Sequence, residues 1–221
     1  MEDENKNNLE FVCEDDPIPI PWPEKGDKLF TASSDWQNNA CLNQFNTDWH
    51  PYIQGYHRAA DVLVKNIVEE DRFNVDYLVY PIIFLYRQYL ELQLKAIILD
   101  GNQLFDRVCE PPITHHDILS LWTQCRRIFK EACAECPELG AVENCIKEFC
   151  MLDKSSMAFR YPVDKKENPS LPNVPNLINV RHLADTMAKI INLLDCAHTE
   201  IQVRLDAKLE MNSYCRYLFL L

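Results

Sequence analysis

Glycine is scarce in this chain, with only 4 among 221 residues, and alternating strand-like runs are few. That combination disfavours a sandwich or barrel, which needs many tight turns between short strands. No apolar run reaches the roughly 20 uninterrupted residues of a membrane span. The opening MEDENKNNLE has neither the basic region nor the apolar region of a secretory leader. Ten cysteines in such a chain are expected to be free thiols of a reducing compartment rather than a disulfide framework. The expected location is therefore cytoplasmic, with no membrane partner. A net charge of −12 excludes a global basic footprint for nucleic acid, though not a local basic pocket. The familiar chemical signatures are also missing: no Gly-rich phosphate loop, no nucleophile elbow and no HExxH. No cofactor is expected.

What is present is a large apolar fraction, 47% of the chain, enough to fill one sizeable core. The acidity is uneven. Residues 1–50 carry 11 acidic and 3 basic side chains, whereas residues 51–221 carry 23 and 19 and are nearly balanced. Residues 1–16 are charged, Asn-rich and expected to be disordered. Pro17, Pro19, Pro21 and Pro23 then alternate with Ile18, Ile20 and Trp22, which fixes an extended path. This run reads as a strap on the body or as an arm for a protein partner. Trp36, Phe45 and Trp49 are candidate anchors for the aperiodic stretch around them. Residues 1–47 are thus expected to form an acidic, Pro-rich N-terminal arm, and 48–221 a helical bundle domain.

The bundle is legible as apolar periodicity. Tyr52, Tyr56, Ala59, Ala60, Leu63, Val64 and Ile67 recur at three- and four-residue spacing and predict a helix from about 48 or 50 to 70. Gly55 inside it costs about 1 kcal/mol against alanine, which suggests a close helix–helix approach. Residues 76–100 are apolar on nearly every side, as befits a helix inside a bundle. Pro81 predicts a kink or a later start near Tyr80, and Gly101 a C-cap. Thr114, with Asp117 three positions on, reads as the capped start of a third helix reaching about 136. A fourth spans about 138 to 152. The last runs from 179 to about 220 and is expected to break near 196–200, before an apolar end that needs cover from the body, a second subunit or a protein partner. The fold class is therefore all-α, a bundle of about five helices with an irregular arm. One long, ordered loop over 153–176 joins the last two; loops of that length are usually functional or disordered, and Phe159 and Tyr161 beside Arg160 argue for order.

Arg87, Glu91 and Lys95 interrupt the central helix at four-residue intervals and so form one polar stripe. It reads either as a satisfied ladder facing a solvent groove or as the lining of a cleft. Together with His115 or His116, Arg160, Tyr161 and Asp164 the stripe would make a charged binding cleft. Arginine's planar fork suits phosphate, and imidazole can move protons near neutral pH. The competing structural reading pairs Arg160 and His116 with Glu91 and Asp117 to brace the loop. For zinc, Cys133 and Cys136 have ligand spacing, but Cys145 and Cys150 lie five apart on a helix and diverge. Packed free thiols are the better account, and no metal is expected.

The run from Tyr89 through Glu91 and Lys95 to Ile98, followed by His116-Asp117-Ile118-Leu119, resembles the E-x-x-L-K-A helix and H-D-L helix start of the HEPN superfamily. Phe159-Arg160-Tyr161-Pro162 is similar to a segment of uncharacterised bacterial members. The likeness covers roughly residues 50–200. It implies an all-α bundle, often a homodimer, from toxin–antitoxin, phage-defence or RNA-processing settings. Catalytic members are metal-independent ribonucleases with an R-x(4–6)-H motif. Here the residues at that distance from Arg160 are Lys165, Lys166 and Glu167, and Arg107 is separated from His115 by seven residues. The expectation is a non-catalytic module binding a nucleotide, RNA or protein through the charged cleft. The alternative is a divergent ribonuclease using Arg160 and His116.

Overall fold

The computed structural model describes residues 21–42, 48–70, 72–108, 113–132, 139–154 and 156–218, with side chains as far as Tyr214. The chain divides into two units, Met1–Asn46 and Thr47–Leu221. Residues 1–16 and most of the proline run lie outside the described residues. In the described part of the first unit the only regular element is one 3-10 turn, Trp36–Asn38. Trp36 is exposed there rather than serving as an anchor.

The second unit is all-α. Its described residues form α1 (His50–Glu69), α2 (Val75–Leu104), α3 (Ile118–Ala132), α4 (Leu139–Leu152) and α5 (Val180–Leu218). Among them no helix is long and apolar enough to cross a membrane. α1 starts where the Asp48 carboxylate accepts the His50 amide at 2.8 Å. Pro51 occupies the first turn, where an N–H would have no helical partner. Its buried side is Ile53, Ala60, Val64 and Ile67. Tyr52 and Ala59, expected on that side, point outward.

α2 is the axis of the bundle, about 45 Å long at the helical rise, and α1, α3 and α5 all pack on it. It begins at Val75 and runs through Pro81, not from Tyr80. Pro81 removes the bond to the Tyr77 carbonyl near an end where Tyr77 is exposed, so water can replace it. Gly101 does not cap α2. The helix continues to Leu104 and is closed by Asp106 in the left-handed region (φ 53°), with the Arg107 amide reaching back to the Asn102 carbonyl at 2.8 Å. Gly101 instead faces α3: a Cβ there would lie 2.5 Å from Ile128 Cγ2. The close approach expected at Gly55 is absent, since that glycine is exposed with open space around it.

α3 is capped by Asp117, not Thr114. Its Oδ1 accepts the amides of Leu119 and Ser120 at 3.1 and 3.3 Å. α4 packs on α3. α5 starts where Asn179 accepts the His182 amide and then runs unbroken past 196–200. Leu209, expected on its buried face, is half exposed.

The long loop is ordered. Phe159 is buried in the core. Asp153 Oδ1 accepts the amides of Met157 and Ala158, and an isolated bridge joins Val163 to Pro169.

Candidate functional site

The polar stripe of α2 is inside the protein. Arg87, Glu91 and Lys95 are 0%, 1% and 6% exposed. Glu91 organises them: its Oε2 accepts Arg87 Nη1 at 2.9 Å, and its Oε1 accepts Lys95 Nζ at 2.8 Å. His116, arriving from the start of α3, places Nδ1 2.7 Å from the same Oε1. Arg87 Nη2 donates to the His116 carbonyl, and Nε reaches the Asp153 carbonyl at 3.5 Å. Burial pushes the Glu91 carboxyl up. Hydrogen bonds from Lys95, His116 and Arg87, with the Lys95 charge, outweigh burial and hold it below its ordinary value.

This arrangement answers to the satisfied-ladder alternative, with protein rather than solvent covering it. A carboxylate only accepts hydrogen bonds, so His116 Nδ1 carries the hydrogen that faces Glu91. Its Nε2 joins no hydrogen bond among the described residues, and the side chain is 62% exposed.

Arg160 stands apart from that network. Its guanidinium lies 5.4 Å from the Phe84 ring and 5.8 Å from the Tyr161 ring, and Nε donates to the Ser156 carbonyl at 2.7 Å. Arg160 meets α2 at Phe84 and His116 meets it at Glu91, two positions about 10 Å apart along the helix axis. Tyr161 is half exposed. Asp164 does not meet Arg160. Its Oδ1 accepts the amides of Lys166 and Asn168, and its Oδ2 the Asn168 side chain, which lowers its carboxyl. His115 is exposed and joins no hydrogen bond among the described residues. Cys133 and Cys136 lie outside the described residues. Cys145 and Cys150 are separate, partly buried thiols whose ionisation burial pushes up. No group of three metal-ligating side chains occurs among the described residues.

A second polar group, not singled out by any sequence motif, lies between α2 and α5. At about 100° per residue, Tyr89, Gln93 and Asp100 point to the opposite side of α2 from Arg87, Glu91 and Lys95. There they meet Asp195, His198 and Gln202 of α5. The available signal was polar residues at three- and four-residue spacing on both helices. No protein-family model, curated protein or solved structure matches this chain.

Proposed function

We propose that the chain is a non-catalytic binding module of HEPN-like architecture that holds a nucleotide or an RNA end at the surface formed by Arg160 and Tyr161. The observation that carries this reading is the state of Arg160. Arg87 and Lys95 are both ion-paired with the buried Glu91, whereas Arg160 joins no ion pair among the described residues. Its guanidinium lies beside Phe84 and Tyr161, with Nε donating to the Ser156 carbonyl and Nη2 to Met157 Sδ, which leaves Nη1 without a partner among the described residues. A pre-positioned fork beside a half-exposed ring suits a phosphate next to a stacked base. The Glu91 network then acts as the brace that fixes α2 and α3 beneath the exposed His115 and His116. A homodimer and a defence, toxin–antitoxin or RNA-related setting follow from the HEPN resemblance. Exposed Leu209, Met211 and Tyr214 near the end of α5 give a second subunit or protein partner apolar surface to cover.

Fluorescence anisotropy with labelled single-stranded RNA and with nucleotides tests this. Arg160→Ala should weaken binding at least about tenfold, and Arg160→Lys should not restore it, because an ammonium lacks the planar fork. Absence of saturable binding by the wild type sinks the proposal.

The second reading, a divergent metal-independent ribonuclease using Arg160 and His116, is favoured by one feature. Glu91 fixes the His116 proton on Nδ1 and leaves Nε2 outward, as an oriented base requires. Cleavage of RNA in EDTA that both Arg160→Ala and His116→Ala abolish would establish it over the binding module.

A further inference from the structure

A solvent-open cavity of ≈ 440 Å³ lies between the first turn of α1, the middle of α2 and α5. That volume is in the range of small-molecule sites. Its polar side is a continuous hydrogen-bond chain. Tyr89 Oη and Gln93 Nε2 both donate to Asp195 Oδ1, at 3.2 and 3.3 Å. Gln93 Nε2 also lies 3.3 Å from His198 Nδ1, while His198 Nε2 lies 2.8 Å from Asp100 Oδ2. Gln202 donates to the same Asp100 oxygen at 3.2 Å.

Donor and acceptor chemistry fixes every proton in this chain. Asp195 can only accept, so Gln93 must turn its NH₂ toward it. The second hydrogen of that NH₂ then meets His198 Nδ1, which must carry the lone pair. The His198 proton therefore sits on Nε2 and points at Asp100. Both ring nitrogens are engaged, so this histidine links Gln93 to Asp100.

What remains open is a set of acceptors. Asp195 Oδ2, Asp100 Oδ1 and Gln93 Oε1 take no hydrogen bond from the described residues. Gln93 is the informative one: the residue is 3% exposed, it lines the cavity, and its carbonyl oxygen accepts no hydrogen bond from the described residues. Asp48 adds a third carboxylate to the lining, and no lysine or arginine lies in it to neutralise the three. Ile53, Ala96 and Leu99 add apolar surface to the lining, together with Trp49. A cluster of hydrogen-bond acceptors with negative charge, next to apolar side chains, is complementary to a cation with several N–H donors on a hydrocarbon stem.

We propose that this cavity binds an aliphatic amine, its ammonium donating to Asp195, Gln93 and Asp100 and its methylenes lying on Ile53, Ala96 and Leu99. The site faces away from Arg160 and is independent of the function proposed above. Titration calorimetry at low salt in EDTA, with putrescine, spermidine and N-acetyl-lysine amide, tests it, with 1-butanol as the uncharged control. Asp195→Asn keeps an oxygen for Tyr89 and Gln93, and Asp100→Asn keeps one for His198, so both variants preserve the chain while removing charge. The expected result is saturation at one amine per chain, at least about tenfold weaker in each variant, with no response to 1-butanol. Saturation by acetyl-lysine amide alone would name a protein's lysine as the source of the ammonium. Because an acidic chain attracts cations diffusely, binding that neither substitution weakens overturns the proposal, as does no saturation at all. Should a variant fail to fold, the Gln93 side-chain amide resonance of the wild type decides, since a seated amine must shift it.

Discussion

His116 Nδ1 lies 2.7 Å from Glu91 Oε1, the same oxygen that Lys95 holds at 2.8 Å. One buried anion thereby ties the start of α3 to the middle of α2, 25 residues earlier in the chain.

Removing that anion should be costly. Glu91→Gln leaves Arg87 and Lys95 buried without a counter-charge, and arginine cannot shed its proton. Breaking a buried pair in this way costs about 3–5 kcal/mol. Urea unfolding of Glu91→Gln should show a loss of that order, while Lys65→Gln, which breaks the exposed pair with Glu69, should change stability by less than about 1 kcal/mol.

The same network sets a pH dependence. The folded-state carboxyl of Glu91 titrates below its ordinary value of 4.5, so the folded state holds its proton less tightly than the unfolded state. Its contribution is fully present above that ordinary value and is lost as pH falls through the lower, folded value. Carbon-13 titration of the Glu91 carboxyl should give a midpoint below 4.5, and the urea midpoint should decline with acidification across the same range. A carboxyl midpoint above 4.5 would show that burial outweighs the three donors.

Two glycines should respond to alanine with opposite signs. Gly55 is exposed in the middle of α1 with nothing near its missing Cβ, so Gly55→Ala should stabilise by about 0.5–1 kcal/mol. Gly101→Ala drives a methyl against Ile128, whose Cγ2 is fixed to its own Cβ and cannot swing away, and should cost about 1–3 kcal/mol. Combining Gly101→Ala with Ile128→Ala should recover part of that loss, and a double-mutant cycle with no coupling would refute the contact.

Cys125 is fully buried and donates to the Leu94 carbonyl at 3.2 Å, and burial pushes its thiol well up. Cys196 is exposed on α5. Iodoacetamide followed by peptide mapping should modify Cys196 in the native protein and Cys125 only after unfolding, because the thiolate is the reactive form.

Helix existence was written in the sequence, because an apolar repeat of three and four residues can be buried only on a helix. The extents of α1 and α4 and the start of α5 follow from that repeat and from local caps such as Asp48 and Asn179. Their positions in space do not. Four-residue spacing puts Arg87, Glu91 and Lys95 on one side of α2 but says nothing of whether water or protein covers them. That was decided by His116 and the Asp153 carbonyl, which arrive from other elements. Gly55 and Gly101 look alike as helix glycines, and only the approach of Ile128 distinguishes them. The Gln93–His198–Asp100 chain joins residues about a hundred positions apart. Local propensity fixed the helices, whereas the packing of α3 and α5 on opposite sides of α2 decided which polar groups joined the buried Glu91 network and which line the cavity beside α5.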